Sequence, residues 1–267
     1  MRALSTAATG MEAQQLNVEV IAHNLANMNT TAFKRQRAEF QDLLYQNMGQ
    51  VGAASSDAGT IVPTGLQIGL GVQAGSVYRI TDQGSLSQTG NELDLAISGR
   101  GYFRIELPNG GEAYTRAGSF SRSPEGQLVT SDGYMVMPGI AIPEEARRVE
   151  VNQQGQVQVL IDGDAEAQIL GQLELVNFAN EAGLEAAGDN LYLETGASGA
   201  ANVGVPGQPG FGIIRQGFVE TSNVDAVTEI TALIRAQRAH EMNARVISAA
   251  DEMRAASANL REPTPAR

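Results

Sequence analysis

Apolar residues recur at helical spacing at both ends of the chain and at strand spacing between them. The positions Leu4, Ala7, Met11, Gln14, Val18, Ile21 and Leu25 step by three and four, and Gln14 alone interrupts the apolar face. The spacing predicts an amphipathic helix of roughly 25 residues, about 40 Å long at ~1.5 Å per residue. Asn27, Asn29, Thr30 and Thr31 follow, and their side chains compete for backbone hydrogen bonds, so the helix should end there. A second short helix is expected over residues 35–47, where Phe40, Leu43 and Leu44 are grouped against Arg35, Arg37, Glu39 and Asp42.

At the other end, Ala239, Met242, Val246, Ala249, Met253, Ala256 and Leu260 repeat the same step with no polar interruption. Ser222 with Asp225 approximates a capping box, and Asp225 and Glu229 complement the positive end of the helix dipole. Glu241 and Arg245 sit at the supportive i,i+4 spacing, Arg254 and Arg261 favour the C-terminal end, and Pro263 and Pro265 stop the helix. Starting at Val224, such a helix would span about 55 Å.

Between about Leu66 and Val219 the period changes to two, as in Val149 and Val151, or Val157, Val159 and Ile161. Turn chemistry separates these runs at Pro108-Asn109-Gly110-Gly111, Ser123-Pro124-Glu125-Gly126 and Ser131-Asp132-Gly133. Short antiparallel strands are expected. Two glycine-rich segments, residues 49–65 and 196–212, read as connectors, the first extended or flexible. The fold class is therefore α+β, with helical ends and a β-rich middle.

The charge balance narrows the function classes. With 18 Lys and Arg against 30 Asp and Glu, the formal net charge is −12, which argues against a nucleic-acid partner or an anionic membrane surface. The chain has no cysteine, so neither disulfides nor thiolate metal sites are available. No apolar run approaches the ~20 residues of a bilayer span, and Thr6, Thr9, Gly10 and Glu12 break any signal-peptide core. Export without a cleaved signal peptide is the corresponding expectation.

Candidate chemistry is thin. His23 and His240 lie in predicted helices, and two imidazoles without thiolates make a weak metal set. Gly99-Arg100-Gly101 is followed by Tyr102 and Phe103 in a strand pattern, which does not suit a dinucleotide turn. Asp162-Gly163-Asp164 lacks the later ligands of a calcium loop, and no G-x-S-x-G elbow occurs. The acids form no constellation typical of a glycan hydrolase. No catalytic, cofactor-binding or metal residues are assigned, and an enzyme is not expected.

Two readings of the helices stay open on periodicity. Each stripe can pack on the protein's own core in an ordinary α+β domain. Alternatively, because the stripes are rich in Ala and Met and lie at opposite ends, the helices can pair with each other and offer ridges to neighbouring subunits. A heterologous contact that does not close then yields a filament.

The run ALSTAATGMEAQQLNVEVIAHNLANMNTTAFKRQRAEFQDLLY resembles the N-terminal signature of the bacterial flagellar rod and hook axial proteins, with Asn24, Leu25, Ala26, Asn27, Asn29, Thr30, Phe33 and Lys34 at the motif positions. DLAISGRGYFRI and AYTRAGSFSRSPEGQLVTSDGYMVM resemble the β domain of that family, and GFVETSNVDAVTEITALIRAQRAHEMNARVISAADEMRAASANL resembles its C-terminal helix. Chain length, the segment GQLELVNFANEAGLEAAGDNLYLETGASG and the 46–66 connector are most similar to the distal-rod branch, where a rod-specific insertion stiffens the shaft. Ala32 replaces a glycine common in the family, which argues against left-handed backbone there, and His23 replaces a common Asn.

The resemblance implies a helical axial domain from residues 1–45 and 217–262, and a connector at 46–66. It also implies a small inner β domain from 67–96 and 190–216, an outer β domain at 97–189 and a loose tail at 263–267. It implies a self-assembling distal-rod subunit in the periplasmic basal body, a tubular drive shaft passing torque to the hook through the LP ring. Implied partners are copies of itself, proximal rod proteins, the hook protein, the L and P ring proteins and the flagellar type III export apparatus. A proximal-rod or hook-type subunit is the alternative within the family, and a periplasmic glycan hydrolase the remote one.

Overall fold

A computed structural model describes residues 2–49, 65–161 and 167–259. Most of the 46–66 connector, the Asp162-Gly163-Asp164 turn, Leu260 and the 263–267 tail lie outside the described residues. In chain order the elements begin with α1 (Arg2–Ala26), β1 (Gln36–Asp42), β2 (Tyr45–Gly49), β3 (Leu66–Gly69), β4 (Val72–Arg79), β5 (Leu86–Gln88) and β6 (Leu95–Ser98). Next come β7 (Tyr102–Glu106), β8 (Glu112–Thr115), β9 (Ser121–Arg122), β10 (Leu128–Val129), β11 (Met135–Val136), β12 (Ala146–Val151), β13 (Gln156–Ile161) and β14 (Gln168–Gln172). The chain then runs through β15 (Leu175–Asn177), β16 (Glu185–Gly188), β17 (Leu191–Leu193), β18 (Asn202–Gly204), β19 (Ile213–Gln216), β20 (Phe218–Glu220) and α2 (Ala226–Asn259). The α+β class, with a helix at each end and antiparallel strands between, matches the sequence reading.

The chain divides into two compact units. The first combines Met1–Leu25, Gln36–Tyr78 and Ala226–Arg267. In it, β1 pairs with β4 and β2 with β3. Leu43 N–H donates to the Gly71 carbonyl at 2.9 Å and Leu70 N–H to the Leu44 carbonyl at 3.2 Å, so the two pairs join into one ribbon. At ~3.4 Å per residue the ribbon is about 45 Å long.

The helix expected over residues 35–47 is not formed; that segment is β1 and β2. Exposure along β1 alternates, with Ala38 and Phe40 half-buried and Arg37 and Glu39 exposed, which is the strand period. Charges grouped near apolar residues were compatible with either period, and pairing with a segment some thirty residues away decided between them. Gly71 is held at φ +132°, and a side chain there would run into Thr9 of α1, so the ribbon can lie close to the helix only because this position is bare.

The second unit combines Ala26–Arg35 with Arg79–Asp225. Its main sheet runs β16-β17-β8-β7-β11-β10-β9, with β15 joining β7 and β18. A meander, β12-β13-β14, lies beside two short pairs, β6 with β19 and β5 with β20. Val149 faces Val159 and Val151 faces Val157, so the alternating residues read from sequence are cross-strand partners. The three expected reversals are tight turns in which Gly110, Gly126 and Gly133 take positive φ. Leu95, Ile97, Phe103, Ile105, Val159, Leu175 and Ile214 fill the core, with Phe103 and Phe120 edge-to-face at 5.1 Å.

Candidate assembly surface

The two terminal helices pack antiparallel. Asn24 Nδ2 donates to Glu229 Oε2 at 3.2 Å, and an added Cβ on Gly10 would come within 2.9 Å of Asn243 Nδ2. The two contacts lie fourteen residues apart on both helices, which fixes one register along the seam. The buried side chains of the two helices, most of them small or polar, are Ala7, Ala13, Val20, Ile21 and Asn24 on α1, and Glu229, Ala236 and Ala250 on α2. Small residues let helices approach closely but bury little apolar area.

The stripes read from sequence mostly flank this seam. On α1, Ala7 and Ile21 belong to both, while Leu4, Met11, Val18 and Leu25 are half-buried. On α2, Ala239 is half-buried, but Met242, Val246, Ala249, Met253 and Ala256 are exposed, Met242 and Met253 by more than 60%. Val227, Ile230 and Ile234 extend that exposed stripe toward the start of the helix. Hydrophobicity alone could not find the seam, because its α2 side is alanine, glutamate and asparagine. His23 and His240 are exposed on their helices.

The segment after α1 is ordered by its polar groups. Asn24 is buried; its Nδ2 donates to the Gln36 carbonyl at 2.8 Å and its Oδ1 accepts from Gln36 N–H at 2.8 Å, tying the end of α1 to the start of β1. Leu25 is half-buried and Ala26 exposed. Thr30 Oγ1 donates to Asn27 Oδ1 at 3.1 Å, Thr30 N–H to the Asn27 carbonyl, and Phe33 N–H to the Thr30 carbonyl, a pair of turns that leave Asn29 exposed and Phe33 buried. Ala32 has φ +56°, so the backbone is left-handed there even though alanine argued against it. Its N–H donates to the Glu220 carbonyl at 2.8 Å, and that bond within a buried turn holds the conformation.

The strain released at Ala32 by glycine, about 1–2 kcal/mol, matches or exceeds the unfolded-state entropy that alanine withholds, about 0.4–1 kcal/mol. Ala32→Gly should therefore leave stability unchanged or raise it by up to about 1.5 kcal/mol, while the β-branched Ala32→Val should lower it. Denaturant unfolding of the three proteins checks this, and a clear loss in the glycine variant would contradict it.

Lys34 closes the motif inside a buried charge cluster. Its Nζ lies 2.6 Å from Glu220 Oε1 and donates to the Asp82 carbonyl at 2.8 Å. Arg116 Nε lies 2.8 Å from Glu220 Oε2, and its remaining nitrogens donate to the carbonyls of Gly101, Gly99 and Ile97. Burial pulls the Lys34 ammonium down from its usual range, since one carboxylate serves two cations. Burial alone would push Glu220 up, but Arg116 and Lys34 outweigh it and hold the carboxyl low. Arg116 and Glu220 carried no signal in sequence, because their partners lie 104 and 186 residues away.

The expected capping box is not the start of α2. The helix begins at Ala226, and Ser222 Oγ accepts from Val224 N–H at 3.2 Å outside it. Ser222→Ala should therefore cost less than the ~1 kcal/mol of a true N-cap, as thermal unfolding would report.

Three family models match the chain: "Flagella basal body rod protein" over residues 4–34, "Flagellar hook protein FlgE/F/G D1 domain" over 96–159 and "Flagellar basal body rod FlgEFG protein C-terminal" over 215–260. The flagellar basal-body rod protein FlgG of Caulobacter vibrioides is 62% identical over 98% of this chain and 100% of its own length. This chain belongs to the FlgG family of flagellar basal-body rod proteins. FlgG proteins of Agrobacterium fabrum and Bacillus subtilis are similar at 55% and 40% identity, over 95% and 98% of this chain and 97% and 99% of their own. The chain is accordingly a structural subunit of the flagellar rod. The first and last matched regions contain the helices and the 24–34 motif, and Lys34 and Glu220 come from those two ends.

Proposed function

We propose that this subunit polymerises with copies of itself, through the exposed stripe of α2 and the flanking face of α1, into the tubular distal rod. The exposed stripe carries the reading: Val227, Ile230, Ile234, Met242, Val246 and Met253 lie along a helix whose other face is already engaged by α1. A contiguous apolar stripe of this kind marks an interaction surface. Because the successive contacts are heterologous, the product is a helical polymer.

In this reading the polymer is a drive shaft in the periplasm, passing torque from motor to hook through the L and P rings. Its neighbours are the proximal rod proteins below and the hook protein above, and the subunit arrives through the flagellar type III export apparatus. It works as a shaft and not as an enzyme. The seam gives the helix pair little to bury on its own, so the ends of the free subunit are expected to open more readily than the β-rich unit and to become fully ordered on assembly.

Electron microscopy of the purified protein tests the proposal. Straight tubes are expected. Curved tubes would indicate a hook-type subunit, and peptidoglycan cleavage without polymer would replace the structural reading with an enzymatic one. Hydrogen exchange on the free subunit should protect the β-rich unit more strongly than either terminal helix.

A further inference from the structure

Among the described residues, Glu220 is the carboxylate in contact with two buried cations that precede it by 186 and 104 residues. Besides Glu220, Lys34 and Arg116 donate to neutral main-chain carbonyls. Glu181, the other acid acting on Lys34, is taken up by Arg100 and the Tyr102 hydroxyl. The backbone repeats the pattern around the same residue. Ala32 N–H donates to the Glu220 carbonyl, Arg35 N–H to Asn223 Oδ1 at 2.7 Å, and Gly84 N–H to Glu220 Oε1 at 2.9 Å. The hydrophobic clusters of this unit are, by contrast, complete by Ile214. Apolar burial can thus form the core before Glu220 is placed, whereas docking residues 26–35 without it would bury two cations of like charge, which is strongly unfavourable.

We propose that Glu220 is a latch that sets the order of folding in the β-rich unit: residues 26–35 dock last, together with residues 218–223, onto a core already formed from residues 93–214. The geometry makes the latch a coincidence device. It needs the outgoing segment for Lys34, the core for Arg116 and the returning segment for the carboxylate. A chain appearing N-terminus first holds residues 26–35 undocked until residue 220 is available.

Pulsed hydrogen exchange during refolding of the full chain tests it. The amides of Ala32, Gly84 and Thr221 should gain protection in one shared phase, later than Phe103, Ile105 and Val159. In native exchange, Glu220→Gln should lose at least tenfold protection at Ala32 and Thr221 while Phe103 and Val159 keep theirs. Protection of Ala32 in the core phase, or ahead of Thr221, would overturn the latch, and so would a folded Glu220→Gln protein with Ala32 protection unchanged. If Glu220→Gln does not fold, the refolding phases of the unaltered protein decide alone.

Discussion

Val246→Asp or Met253→Asp is expected to abolish polymerisation while leaving thermal unfolding of the free subunit within about 0.5 kcal/mol of the unaltered protein. Both side chains are exposed, at 49% and 67%, so a carboxylate there stays hydrated in the free subunit. In the polymer the same group would be buried in an apolar contact without a partner, at a cost of several kcal/mol repeated at every subunit. Ala236→Asp is the control from the opposite face: Ala236 is 2% exposed and lies midway between Glu229 and Asn243, the two α2 positions that meet α1, so this change should loosen the helix pair in the free subunit itself. Sedimentation and electron microscopy read the first effect, and hydrogen exchange along α1 reads the second. Tubes formed by Val246→Asp/Met253→Asp would remove the stripe from the interface.

Arg116→Met should destabilise the β-rich unit by about 3–5 kcal/mol, the cost of breaking a buried ion cluster from one side. The substitution leaves the carbonyls of Gly99 and Gly101 and one oxygen of Glu220 without their donor. The same cluster sets an acid limit. Glu220 has its folded-state pKa held below the ordinary 4.5, so its contribution is fully present above that value and is lost as pH falls through the lower, folded-state value. Denaturant unfolding at a series of pH values should show a decline below about pH 4.5 that is shallower in Arg116→Met, because half of the support for the ionised carboxylate is gone. Equal acid slopes in the two proteins would assign the acid limit to other carboxylates.

Helices at the ends, strands in the middle and the turns at Gly110, Gly126 and Gly133 were legible because each rests on local periodicity or on a local backbone demand. The 35–47 segment was not, since its strand character comes from pairing with residues 66–79. The helix faces were legible in part. The apolar stripe of α2 stood out as a pattern, but the side that meets α1 is marked by Ala236, Asn243 and Glu229, and helix contacts made by small and polar residues leave no hydrophobic signature. Lys34 was singled out by resemblance alone. Its partners could not be named, because an ion cluster built from residues 34, 116 and 220 has no spacing rule that a sequence can display.

The ribbon has a consequence for how the chain can change length. Ile80 N–H donates to the Arg35 carbonyl at 2.8 Å, and Asn223 bonds to both sides of that crossing, so the chain leaves at residue 35 and returns at residue 80 through adjacent positions. Everything between is, for the β-rich unit, a closed loop whose ends are already joined. Since the entropy of closing a loop grows only with the logarithm of its length, each doubling costs about 0.6 kcal/mol. Residues can thus be added to or removed from the ribbon in opposed pairs, keeping its register, without changing the junction between residues 35 and 80.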